Sequence, residues 1–168
     1  MEKTLEIINR METDGVIGRY AIGGAMAAVF YVEPFATFDL DIFFALNLSG
    51  GLVTMTPVYE YLATAGYEAT GEAVNIEGWP VQFIPTYNPL VAEAVEQAVG
   101  IKFKGTPTRV LSAEHLVAIM LQTGREKDYA RVARFLEEGV VNVERLTDIL
   151  SRHGLTDKWR EFSSEPGT

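Results

Sequence analysis

Asp39 and Asp41 stand two apart in the run Thr37-Phe38-Asp39-Leu40-Asp41-Ile42-Phe43-Phe44, whose other residues are mostly apolar. Such a run reads as a buried strand. Side chains alternate with period two, so both carboxylates leave one face, while Leu40, Ile42 and Phe44 leave the other toward a core. Two like charges this close repel unless a divalent cation sits between them. Mg2+ prefers hard oxygen ligands, commonly carboxylates with substrate phosphates completing its octahedron. The pair therefore reads either as a metal-binding pair or as two solvated carboxylates on an open sheet face or edge. Spacing alone does not separate the two.

A second segment lies upstream. Tyr20-Ala21-Ile22 reads as a short strand, Gly23-Gly24 as a turn, and Ala25-Met26-Ala27-Ala28-Val29 as a helix of small apolar residues. Glycines let the backbone approach a ligand, and a helix N-terminus offers unpaired N–H groups to phosphate. A diglycine alone is more simply a tight turn; followed by the Asp-x-Asp strand it gains meaning. A third segment, Gly124-Arg125-Glu126-Lys127-Asp128, follows a helical stretch that begins near Ala113. Arg125 offers a bidentate fork and Lys127 a point charge for phosphate oxygens. The plainer reading is a charged helix start on a solvated surface. Asp128 reads as structural, favoured by the dipole of a helix first turn and able to tether basic side chains.

Taken together, these residues resemble the nucleotidyltransferase superfamily, the DNA polymerase beta-type fold, from about Tyr20 to Leu136. The family's Gly-Gly pair matches Gly23 and Gly24, and its Asp-x-Asp matches Asp39 and Asp41. Thr37, two before the first Asp, and Gly-Arg-x-Lys-Asp at 124–128 resemble the small bacterial abortive-infection or toxin-like branch. The resemblance implies an α+β fold, with a mixed sheet flanked by helices and a helical C-terminal part. It implies that Asp39 and Asp41 hold Mg2+ and serve catalysis, and that Gly23, Gly24, Thr37, Arg125 and Lys127 bind a nucleoside triphosphate. The implied reaction moves a nucleoside monophosphate to a hydroxyl of a protein, a transfer RNA end or a small metabolite such as an aminoglycoside. One departure matters. The family's third carboxylate falls at Gln82, in the strand-like Trp79-Pro80-Val81-Gln82-Phe83-Ile84-Pro85. An amide binds metal weakly and cannot act as a base. Another residue such as Glu77 substitutes, the enzyme is slow, or the site binds without turnover. The alternative is a degenerate nucleotide- or partner-binding module of a toxin–antitoxin or phage-defence pair.

Composition bounds these readings. A chain of 168 residues, 48% apolar, can bury a real core. It has no apolar run of membrane-spanning length and no signal-peptide pattern, so a cytoplasmic location without membrane contact is expected. The absence of cysteine removes disulfides and thiolate metal sites, and with two histidines a zinc site is not expected. A net charge of −9 argues against long duplex DNA as a partner. A local basic cleft stays open, since Arg125, Lys127, Arg131 and Arg134 fall close together.

The remaining elements frame the site. Thr4 to Glu12 reads as a helix with Leu5, Ile8 and Met11 at helical spacing. Ser49-Gly50-Gly51 breaks the chain, and Pro57 to Ala65 reads as a helix closed by Gly66. A strand start at Tyr67 to Thr70 is followed by a hairpin around Glu77-Gly78-Trp79-Pro80. Asn88 caps a helix that opens with Pro89, and two short strands, 101–104 and 108–111, precede Ser112. Beyond it the chain reads as helical, with Leu116, Ile119 and Met120 in an apolar stripe, breaks at Gly139 and Gly154, and a frayed tail from Ser163. Residues 1–111 are expected to form the α/β core and 112–168 a helical extension packed on it as a single compact unit. His115 reads as a capping or packing residue, and His153 as a cation near a helix end. Trp79, Phe83 and Tyr87 are core aromatics or, alternatively, platforms for a base.

Overall fold

A computed structural model of the chain describes residues 1–32, 37–46 and 54–164. The Ser49-Gly50-Gly51 break and the end of the expected tail lie outside these residues, while Ser163 and Ser164 are helical. The architecture is α+β: among the described residues, a seven-stranded mixed sheet flanked by eight helices.

The first helix, α1 (Glu2–Thr13), puts Leu5, Ile8 and Met11 wholly out of solvent. Burial of side chains of this kind contributes about 1.5–3 kcal/mol each. Its Thr4 hydroxyl donates to the Ile76 carbonyl at 3.0 Å, which ties the helix to the sheet. The strands β1 (Tyr20–Ile22) and β2 (Leu40–Phe44) pair antiparallel, joined through the short helix α2 (Gly24–Ala28) and the segment after it. β2 begins at Leu40 rather than Thr37, so Asp39 stands one residue ahead of the strand and Asp41 within it.

After α3 (Thr56–Thr64) come β3 (Ala69–Thr70), β4 (Ala73–Ile76) and β5 (Trp79–Pro85). The hairpin between β4 and β5 turns on Glu77-Gly78 alone, with Trp79 already paired to Ile76. β5 lies parallel to β2 in a register that sets Asp41 opposite Gln82 and Phe43 opposite Ile84. Next are α4 (Pro89–Glu96), whose Asn88 side chain caps the Val91 N–H, and the hairpin of β6 (Val99–Phe103) and β7 (Thr106–Val110). The sheet order is β3-β4-β5-β2-β1-β7-β6, with β1 parallel to β7 through Ile22 and Val110.

The C-terminal part is α5 (Ala113–Thr123), α6 (Glu126–Glu137), α7 (Val143–Arg152) and α8 (Thr156–Ser164). Helix α5 is the hub, touching α2, α4, α6, α7 and α8. Its start is capped by Ser112, whose hydroxyl accepts from the His115 N–H. Among the described residues no helix is long and apolar enough to cross a membrane.

Candidate active-site cleft

Strand alternation builds the floor of one cleft. Leu40, Ile42 and Phe44 on β2 are buried in the core, as the pattern predicts, and Asp41 and Phe43 leave the opposite face. On the neighbouring strand Gln82 and Ile84 do the same, so that the floor is two matched cross-strand pairs, Asp41 with Gln82 and Phe43 with Ile84. The opposing wall comes from one face of α5 and the start of α6. The enclosed volume is about 290 Å³.

The diglycine is fitted to Asp41. Gly23 N–H donates to the Asp41 backbone carbonyl at 2.9 Å. Gly24 follows with φ +58°, in the left-handed region where glycine is at home. A Cβ there would overlap Asp41 Oδ2 and stand 2.9 Å from its Cγ, and a Cβ on Gly23 would run into the Phe43 ring. The two glycines thus keep the space in which the carboxylate and the aromatic floor lie.

Burial pushes the Asp41 carboxyl above the ordinary carboxylate range, and the Asp39 charge pushes it further; Arg125, Arg131 and Lys127 oppose the shift. The carboxyl is therefore half-buried, crowded by a second negative charge and faced by cations. That is the environment in which an added cation gains most.

The cations are set by a helix joint. Gly124 ends α5 with φ +68°, the left-handed C-terminal cap, and the chain turns directly into α6 with Arg125 at its N-cap. Asp128 is buried and holds Arg125 with two bonds, at 2.7 and 3.2 Å; the Arg131 guanidinium lies 3.8 Å away on its other side. One carboxylate thereby aims two guanidinium groups into the cleft. Its hydrogen bonds also raise the Arg125 pKa, so that residue keeps its charge.

Of the residues singled out in the sequence, Gly24, Asp41, Gln82 and Arg125 meet at the cleft lining. Gly23 lies behind it. Thr37 is half-buried and Asp39 exposed, both ahead of β2, and Lys127 is exposed on α6; none of these three lines the cleft. Asp39 and Lys127 still reach Asp41 through their fields. Arg131 carries more of the wall than its place in a basic run suggested. The signal was available: Arg125 and Arg131 flank Asp128 at three residues on either side, neighbours on a helix, whereas Lys127 is rotated about 100° away.

The aromatic candidates divide. Tyr87 lines the cleft, with its hydroxyl pKa raised by burial and pulled back by Arg125. Phe83 packs edge-on against Phe44 in the core, and Trp79 pairs with Ile76 away from the cleft. Asn88 Nδ2 donates to Gln122 Oε1 at 2.7 Å, which pins the Tyr87 loop to the end of α5.

Both histidines belong to a separate polar cluster. His115 is wholly buried, with Nδ1 2.9 Å from Ser112 Oγ and Nε2 3.2 Å from Glu93. His153 Nε2 is 2.8 Å from the same carboxylate, which Arg152 also grips with two bonds. Arg152 first, then the two histidines, hold the Glu93 carboxyl well below its ordinary range. Burial lowers the His115 pKa. The cluster clamps α4 to α5 and α7 and has the packing role expected of His115.

Among the described residues no group of three or more His, Cys, Asp or Glu side chains is arranged to hold a metal. The oxygen donors are hard: the Asp41 carboxylate and the Gln82 amide in the lining, and the exposed Asp39 carboxylate ahead of the strand, which reaches Asp41 through its field. This set suits Mg2+ only if phosphate or water supplies the rest.

No protein-family model matches the chain, and no curated protein sequence matches it. Solved structures do. An antigenic nucleotidyltransferase-like protein from Paracoccidioides brasiliensis superposes with a TM-score of 0.58 at 14% identity, over 97% of this chain and 91% of its own. ANT(2'')-Ia in complex with adenylyl-2''-tobramycin gives 0.55 at 13% identity, over 92% of this chain and 98% of its own. The solution structure of the antibiotic-resistance factor ANT(2'')-Ia gives 0.51 at 13% identity, over 96% and 99%. At such identities the likeness is one of fold. The mixed sheet, the helices around it and these neighbours agree on one statement: the chain has a nucleotidyltransferase-type α+β fold.

Proposed function

We propose that the chain binds a nucleoside triphosphate with Mg2+ in this cleft and transfers the nucleoside monophosphate to an acceptor hydroxyl. The observation that carries the reading is Asp41: a carboxylate whose pKa is raised by burial and by Asp39, packed into the space a Cβ on Gly24 would take, and sharing the cleft with two guanidinium groups. Asp39 and Asp41 would hold the metal, with the Gln82 amide oxygen as a weak further donor. The metal would supply Lewis acidity and charge neutralisation at the phosphates.

The chain's own residues do the rest. Arg125 and Arg131 bind the polyphosphate and, being held by Asp128, lose little freedom when it arrives. They also stabilise negative charge that builds on the departing pyrophosphate. The acceptor oxygen bonds to the α-phosphorus, the bond to the bridging oxygen breaks, pyrophosphate leaves, and the hydroxyl proton passes to solvent.

That last step is where Gln82 counts. Gln82, in register with Asp41, stands where the resemblance expects the third carboxylate, and an amide cannot serve as a base. It favours a second reading, a module that binds nucleotide and turns it over slowly or not at all.

A thermal-shift panel tests both: four nucleoside triphosphates, each with and without Mg2+, on the wild type and on Asp39→Ala/Asp41→Ala. Ligand that binds only the folded state raises Tm, by about 2.7 kcal/mol of stability at a hundred times Kd. A metal-dependent rise lost in the variant is expected. No rise with any nucleotide would refute the site. Pyrophosphate release then separates turnover from binding.

A further inference from the structure

The wall opposite the Asp41 floor has a composition that bears on the acceptor. Leu116, Ile119, Met120 and Thr123 recur at helical spacing on one face of α5 and all line the cleft. Three of the four are apolar. The next residues along the wall are Arg125 and Arg131. The only carboxylates lining the cleft among the described residues are Asp41 and Asp128. Asp128 is buried and already bonded to Arg125, with Arg131 beside it. The one acid on α5, Glu114, is also committed elsewhere: its carboxylate accepts from the Asn142 N–H at 2.9 Å and lies 3.7 Å from Arg145.

Among the described residues no carboxylate is therefore left on the wall to meet an ammonium group; the floor's Asp41 is the one the proposed reading gives to the metal, and the wall ends in two guanidinium groups. A polycationic acceptor would lose hydration against Ile119 and Met120 without gaining a partner, and like charges brought together across an interface oppose binding. A neutral body loses little there and gains apolar contact. The cleft is at the small end of ligand pockets, about 290 Å³.

We infer that the acceptor is a neutral or anionic hydroxyl compound whose apolar body rests on Leu116, Ile119 and Met120, and that polycationic acceptors are excluded. The inference rests on the nucleotidyl-transfer reading for the word acceptor, but the wall's preference is a binding property of the chain. It can be measured with or without nucleotide.

The test is isothermal titration calorimetry of the full chain with two probes: N-acetyl-tyrosinamide, a neutral aromatic hydroxyl, and tobramycin, a polyol carrying several ammonium groups. Each is titrated into free protein and into protein with Mg2+ and nucleotide. With Mg2+ and nucleotide in place the neutral probe is expected to bind at least tenfold more tightly than tobramycin; in the free protein, where Asp41 is open to an ammonium group, the ratio is expected to be smaller. Ile119→Asp, and Thr123→Asp as an exposed variant that spares the core, each add an acid to the wall. Both are expected to narrow that ratio by tenfold or more. In the protein loaded with Mg2+ and nucleotide, equal or tighter binding of tobramycin, no binding of the neutral probe, or a ratio unmoved in a folded Thr123→Asp protein overturns the inference. A missing nucleotide effect alongside the expected probe ratio refutes nucleotidyl transfer and leaves the wall's preference standing.

Discussion

Replacing Gly24 by alanine isolates the packing that seats Asp41. Two costs add. An L-residue held at φ +58° forfeits about 1–2 kcal/mol. The new Cβ falls on Asp41 Oδ2, and the carboxylate must leave its rotamer well, at about 0.5–1.5 kcal/mol. The sum is about 1.5–3.5 kcal/mol, which for a chain of this size lowers Tm by roughly 3–14 °C. The second cost needs the carboxylate, so Gly24→Ala in an Asp41→Ala background should lose only the first. Thermal denaturation of the four proteins of this cycle should give a coupling of about 1 kcal/mol. The displaced carboxylate should also abolish the Mg2+-dependent nucleotide shift in the single variant. An equal loss in both backgrounds, or a Tm drop of less than about 2 °C, would show that Gly24 does not position Asp41.

The Asp41 carboxyl has its folded pKa raised above 3.8, so the native state binds more protons than the unfolded chain as pH climbs through that window. Stability is therefore lost as pH rises, and Asp41→Asn should raise Tm at pH 7 and have no such benefit near pH 3. Glu93 has the opposite sign: its folded pKa is depressed, and its contribution is full above 4.5 and fades as pH falls. Glu93→Gln should cost about 1–3 kcal/mol at pH 7 in urea titrations, with the deficit shrinking in acid. Asp128→Asn should loosen Arg125, which it holds with two hydrogen bonds, weaken nucleotide affinity about tenfold or more, and steepen its loss with salt; unchanged affinity would remove Asp128 from the site. Arg131→Gln should weaken nucleotide binding more than Lys127→Gln, since only Arg131 lines the cleft, and the reverse order would restore Lys127 to the principal role.

What could be read from the sequence was what depends on near neighbours. Alternation along β2 separates Asp41 from Leu40 and Ile42 without any knowledge of the partner strands. Asn88 and Ser112 announce their helices because a cap is satisfied within three residues. Less could be read where a distant element decides. β2 starts at Leu40 because its paired stretch with β5 starts there, and Asp39 consequently falls outside the ladder. The apolar stripe of α5 reads as core from its spacing, yet part of it lines a cleft, because the sheet opposite it carries Asp41 and Gln82. Lys127 and Arg131 are indistinguishable as charges in a run; the phase of α6 separates them. Glu93 gave no signal, since its partners lie 22, 59 and 60 residues away.

The spread of the cleft along the chain has a kinetic consequence. Its floor joins residues 41 and 82 and its wall ends at residue 131, so the cleft needs contacts that close loops of about forty to ninety residues. Loop closure is slow where the joined segments are distant, and local helices form long before such pairings. During synthesis the aspartate pair is complete by residue 41, whereas its guanidinium counterweights arrive some ninety residues later. A nascent chain halted after β7 would carry the carboxylates without the arginines that offset them. Nucleotide affinity should therefore arise late and abruptly in refolding, with the docking of α5 and α6, rather than in step with the sheet.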